Sequence, residues 1–162
     1  MNVSLPSSIT IRSCDLLYLP PKRFESFPFL KNLKIVWCPR LYWQSPMVLP
    51  PSLQTLILSN CGDFSAWSPR CCLENLTSLE SLTMDSCKGI MSIPGDLWSS
   101  SLKSLQKLKI ESCPNLVSIG GPEAIANINT VYIRGCPKLM EIEQPRGKPW
   151  YVCHFNLLQY KL

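Results

Sequence analysis

The chain has 162 residues and a formal net charge of +5; hydrophobic residues make up 46% of it and charged residues 17%. This much apolar material excludes a disordered chain and suits about one domain with a real core, while the thin charge implies a surface that is either buried by a partner or poorly soluble on its own. A charge of +5 without a basic run excludes a strong nucleic-acid binder, and no run of about 18 apolar residues exists to span a membrane.

Residues 1–6 (MNVSLP) lack the basic and apolar regions of a secretory signal, so a reducing, cytoplasmic setting is expected. The first expected strand follows at once, where Ile9 and Ile11 alternate with Ser8, Thr10 and Arg12 and lead to Cys14. This unit is partial, because Pro6 holds its leading apolar position, and no N-terminal cap precedes it. The expectation is therefore a fragment of something longer, with an apolar edge near Ile9 and Ile11.

Five complete units come next. Leu30-x-x-Leu33-x-Ile35-x-x-Cys38 exposes Asn32, Lys34 and Val36, and Leu53-x-x-Leu56-x-Leu58-x-x-Cys61 exposes Thr55, Ile57 and Ser59. Leu79, Leu82, Met84 and Cys87 expose Ser81, Thr83 and Asp85 in the same register. Leu105, Leu108, Ile110 and Cys113 expose Lys107, Lys109 and Glu111, and Ile128, Val131, Ile133 and Cys136 expose Thr130, Tyr132 and Arg134. Successive cysteines are 24, 23, 26, 26 and 23 residues apart. Between the units run proline-rich returns such as Pro20-Pro21, Pro46 and Pro50-Pro51, with short helical turns expected near 73–80 and 97–105. Trp37, Trp43, Trp67 and Trp98 lie in these returns and read as packing side chains. After Ile142 the pattern stops, and the aromatic cluster Trp150, Tyr151 and Phe155 either folds over the last unit or forms a loose tail.

The L-x-x-L-x-L-x-x-C phrase at this period is that of a leucine-rich repeat. The fold expected is an α/β solenoid, a leucine-rich-repeat horseshoe of about six repeats over 1–142, with a parallel concave sheet and an irregular convex side. Residues 143–162 are the C-terminal cap or tail. One unit cannot bury its apolar face alone, so stacking is compulsory.

The nine cysteines hold no C-x-x-C, and a spacing of 23–26 makes a stack rather than a tetrahedron, so buried structural thiols are expected and no metal. Cys71, Cys72 and Cys153 fall off that ladder and read as loop or packing thiols. No phosphate-binding, nucleophile-elbow or zinc-protease motif occurs. The adjacent Cys153-His154 pair is a poor nucleophile and base, since neighbours point apart. Two glycosylation triplets, at Asn2 and Asn75, matter only in a secreted protein. No catalytic residue and no cofactor is therefore expected, and what remains is a protein-binding concave face. Its candidate residues are Arg12, Lys34, Val36, Ile57, Thr83, Asp85, Lys107, Lys109, Glu111, Tyr132 and Arg134.

The run Leu105-x-x-Leu108-x-Ile110-x-x-Cys113-Pro114-x-Leu116-x-x-Ile119 resembles the C-terminal repeats of plant nucleotide-binding, leucine-rich-repeat disease resistance proteins. Leu76-Thr77-Ser78-Leu79-Glu80-Ser81-Leu82 and Cys136-Pro137-Lys138-Leu139 are similar to the phrasing of their coiled-coil type. The resemblance covers roughly residues 5–142. It implies innate-immune recognition of a pathogen effector or a guarded host protein, and docking on the nucleotide-binding domain of the parent receptor. This sequence has no P-loop, coiled coil or nucleotide-binding module, so only the recognition role carries over and no receiving residue is matched individually. The alternative class is the substrate-recognition leucine-rich-repeat subunit of a ubiquitin ligase, whose adaptor-binding motif this chain lacks.

Overall fold

A computed structural model describes residues 4–15, 18–19, 23–43, 47–64 and 67–153. Among these residues the strands are β1 (Ser8–Arg12), β2 (Tyr18–Leu19), β3 (Asn32–Val36), β4 (Tyr42–Trp43), β5 (Thr55–Ser59), β6 (Ser81–Asp85), β7 (Lys107–Glu111), β8 (Thr130–Arg134) and β9 (Tyr151–Cys153). Seven of them make one parallel sheet in the order β1-β3-β5-β6-β7-β8-β9, while β2 and β4 pair separately.

The alternation of each strand decides which way it faces. The second and fourth residues of β3, β5, β6, β7 and β8 are buried, and the others are not. Parallel pairing sets equivalent residues side by side about 4.8 Å apart. Leu33, Leu56, Leu82, Leu108 and Val131 thus form one aligned row, each exposed by 1% or less. Ile35, Leu58, Met84, Ile110 and Ile133 form a second beside it. Each such side chain gains about 1.5–3 kcal/mol from burial. At the free edge, Ile9 and Ile11 align with Leu33 and Ile35 but stay only half-buried, because no described strand covers their other side.

Each long strand from β1 to β8 ends in a left-handed corner. Ser13, Trp37, Asn60, Ser86, Ser112 and Gly135 have φ from 44° to 65°, a region that costs an L-residue about 1–2 kcal/mol. The corner amide donates to the last carbonyl of the next strand, as from Trp37 to Ser59 (2.9 Å), Ser86 to Glu111 (2.9 Å) and Ser112 to Arg134 (2.9 Å). The corner also turns the following residue under the sheet. Cys38, Cys61, Cys87, Cys113 and Cys136 sit there with 1% exposure or less. Four of these thiols donate to the carbonyl two residues back, from Cys38 to Val36 (3.6 Å), Cys87 to Asp85 (3.5 Å), Cys113 to Glu111 (3.4 Å) and Cys136 to Arg134 (3.5 Å). Cys87 and Cys113 also reach the preceding strand at Leu58 O (3.7 Å) and Met84 O (3.8 Å). A small side chain with a weak donor fits this inner bend, and all nine cysteines are thiols.

The returns differ from expectation in place. The helix expected near 73–80 is α1 at Pro69–Leu73: Ser68 caps it by accepting the Cys71 amide, Pro69 begins it, and Asn75 at φ 68° lies just past its end. The second helix, α2, runs Asp96–Ser100 and stops where 97–105 was expected to continue. Gly95, just before α2, lies against Gly120 of the next return, where a Cβ on Gly120 would fall 2.2 Å from the Gly95 Cα. Beyond it the Glu141 carboxylate accepts the amides of Ile119 (2.6 Å) and Gly121 (3.1 Å) and ties two returns together.

Trp67 and Trp98 are buried as packing side chains, Trp67 edge-on to Phe64 and Trp98 donating to Ile119 O (2.8 Å). Trp37 is not: the corner it occupies turns it outward, leaving it 62% exposed. The side chain of Trp43, together with Pro20, Pro21, Pro46, His154 and Phe155, lies outside the described residues. The end of the chain does fold back as far as Cys153. Trp150 is buried with its indole nitrogen on Ile128 O (3.0 Å), Gln144 bonds both Trp150 O and the Val152 amide, and β9 adds a strand beside β8. Among the described residues no helix is long and apolar enough to cross a membrane.

Candidate functional site

The odd positions of the strands stand on the open face of the sheet in three rows. The middle row runs Thr10, Lys34, Ile57, Thr83, Lys109, Tyr132 and Tyr151, and the third runs Arg12, Val36, Ser59, Asp85, Glu111, Arg134 and Cys153. Lys107 belongs to the first row, aligned with Ser81 and Thr130. All eleven residues expected on this face are therefore strand residues of one sheet, and none of them is buried.

The face is uneven. Its half nearer β1 carries short or separate side chains, with Val36 beside Ser59 and Lys34 beside Ile57. Asp85 sits at the centre and is held by hydroxyls: Ser59 donates to it at 2.8 Å and Ser86 at 3.0 Å. Over β7, β8 and β9 the side chains lock together. The Tyr132 and Tyr151 rings stack with centroids 4.9 Å apart and planes 16° from parallel. Lys109 Nζ lies 5.3 Å from the Tyr132 centroid, so the ring has an ammonium on one side and a ring on the other. The same ammonium meets Glu111 at 2.8 Å, and Glu111 faces Arg134 at 3.8 Å. Glu111 is the least exposed member of the three, its side chain 22% accessible against 46% for Lys109 and 35% for Arg134.

The titration of these groups follows their neighbours. The Glu111 carboxylate raises the Lys109 ammonium, and the Tyr132 hydroxyl, ahead of Glu111, raises the Arg134 guanidinium. The Cys153 thiol raises Tyr151. Lys109 and Arg134 thus hold their charge, and both tyrosines lie within a polar cluster rather than on a bare sheet.

Register alone placed Lys109, Glu111, Tyr132 and Arg134 together; it missed Tyr151, because β9 lacks the Leu-x-x-Leu lead and the trailing cysteine. A second omission lies on the flank. Of the large apolar side chains left exposed, Tyr42, Met91, Val117 and Met140 all stand four residues after a ladder cysteine. Met91 and Val117 are on adjacent returns, joined by the Val117 amide on Met91 O (2.7 Å). The signal was present in Cys-x-x-Leu-x, whose last position is bulky although it follows the buried Leu or Ile. Among the described residues no group of three or more His, Cys, Asp or Glu is arranged to hold a metal ion. Compared with known proteins, the chain matches no family model, no curated protein and no solved structure.

Proposed function

We propose that the chain is a leucine-rich-repeat solenoid of about six repeats, with the open face of the sheet as its concave side, and that it works as the protein-recognition module of a plant intracellular immune receptor. It senses a pathogen effector or a guarded host protein in the cytoplasm by direct binding, without catalysis and without a cofactor. The observation that carries this reading is the separation of faces: two apolar rows point inward from every long strand of β3–β8, while polar, aliphatic and aromatic residues alternate outward in shared register. The Cys-Pro-x-Leu phrasing at Cys38, Cys113 and Cys136 supports the receptor class.

Size sets what the face can do. Seven strands at about 4.8 Å spacing and five residues at about 3.3 Å give roughly 550 Å². A stable interface takes about 800 Å² per partner, so affinity here must come from a few strong anchors or from the neighbouring surface as well. The test is to pan a displayed library of secreted plant-pathogen proteins against the full chain. Binders are then measured on a variant carrying Lys34→Ala, Ile57→Ala, Lys109→Ala and Tyr132→Ala. The reading expects binding to be lost while the far-UV circular dichroism and melting curve hold. Binders that keep their affinity for this variant would refute it.

A further inference from the structure

The locked cluster on β7–β9 differs from the rest of the open face, and the difference points to a partner. Resting on the recognition role above, the geometry points to an extended partner segment that carries an aromatic or prolyl residue followed three residues later by Asp or Glu, the ring on Tyr151 and the carboxylate at Lys107 and Lys109.

Three observations build this. Tyr132 and Tyr151 are held by stacking and by Lys109, so little side-chain freedom is lost when a ligand arrives. Tyr151 is still 47% exposed, which leaves ring area for a second apolar or planar group. The charge balance then selects the sign. The candidate face carries five cations against Asp85 and Glu111, and both carboxylates are already engaged, Asp85 by hydroxyls and Glu111 by Lys109 and Arg134. No carboxylate among the described residues lies within ion-pairing distance of Lys107. On the strands of this face an incoming cation would have to displace a bond that Asp85 or Glu111 already makes, whereas a carboxylate finds in Lys107 an ammonium that makes none of those ion pairs. The spacing follows from the sheet. Tyr151 and Lys107 lie two strand steps apart and two residues apart along the strand, about 12 Å, and an extended chain covers that in about three residues.

The experiment pans a phage-displayed library of random twelve-residue peptides against the full chain. The expected result is enrichment of an aromatic residue or proline with Asp or Glu three positions on. Affinity should fall at least tenfold on Tyr151→Ala and on Lys107→Glu, stay within about twofold on Tyr151→Phe, and weaken as salt rises from 50 to 300 mM. Both substituted side chains are at the surface, and a melting curve checks each variant. Enriched peptides that are neutral or basic would overturn the proposal, as would an absence of enrichment. Peptides that lose binding on Lys34→Ala and Ile57→Ala but ignore Tyr151→Ala and Lys107→Glu would overturn this subsite while leaving recognition by the open face standing. Peptides that ignore both sets would overturn both.

Discussion

Raising the pH should unfold this protein through its inner thiols. Burial pushes Cys72 up to about 12 from an ordinary 9.0. At Cys113 the Cys136 thiol pulls downward, but the Cys87 thiol and burial outweigh it, and the group is again pushed up to about 12. Both thiols stay neutral in the folded state and ionise near 9 once the chain unfolds. Their contribution is therefore complete below about pH 9 and is lost as the pH climbs through 9 towards 12. Each thiol costs about 1.4 kcal/mol per pH unit in that window, or about 4 kcal/mol by pH 12. Two of them remove about 8 kcal/mol, which is comparable with the whole stability of a domain, about 5–15 kcal/mol. Cys87 and Cys136 are raised as well and steepen the fall. The midpoint of alkaline unfolding should lie between about pH 10 and 12. Thiolate absorbance at 240 nm, followed together with far-UV circular dichroism, reads both events at once. The buried thiols should ionise only as the strand signal disappears, and Cys113→Ala should reduce the slope of stability against pH by about 1.4 kcal/mol per unit. If all nine thiols titrate near pH 9 while the native spectrum persists, the burial of the ladder is wrong.

Position within the sheet should grade the cost of a core truncation. Leu82→Ala, in the middle of the first apolar row and fully buried, should lose about 3–5 kcal/mol in urea unfolding, while Ile9→Ala at the half-buried edge should lose less than half of that; equal losses would mean that the rows are not stacked as described. Gly120→Ala should destabilise by several kcal/mol, because its Cβ would meet the Gly95 backbone at 2.2 Å and its φ of 88° is already unfavourable for an L-residue; a melting temperature unchanged within 2 °C would contradict that close approach. Trp37→Gly should stabilise by roughly 1 kcal/mol, since the corner at φ 57° suits glycine and the indole is mostly in solvent; a loss of stability would show that the indole packs in solution.

The parts of the fold that local chemistry dictates are legible in the sequence. Period-two alternation around Leu33 and Ile35, repeated at Leu56 and Leu58 and onward, specifies both the strand and the side that faces inward. Sharing one register then puts Lys109, Glu111, Tyr132 and Arg134 on one surface. The rest depends on conditions that alternation does not encode. The pattern at Leu76 and Leu79 suits a helix, yet the cap and the starting proline lie upstream at Ser68 and Pro69, and the helix forms there. Trp150, Tyr151 and Val152 alternate too, but Pro145, Gly147 and Pro149 precede them. Pairing with β8 makes Tyr151–Cys153 a strand, and the Trp150 indole just before it is anchored on Ile128 O. Trp37 reads as packing from its size and apolar character, while its exposure follows from the handedness of a backbone corner. Met91 and Val117 face outward for a similar reason, set by the path of the return rather than by hydrophobicity.

Lysine footprinting tests the use of the face most directly. With a panned partner bound to the full chain, acetylation should be suppressed at Lys34, Lys107 and Lys109, all on the open face of the sheet, and should continue at Lys88, Lys103 and Lys138, which stand on the returns. Protection of Lys88 and Lys138 with Lys34 and Lys107 still labelled would put the partner on the flank and contradict the account.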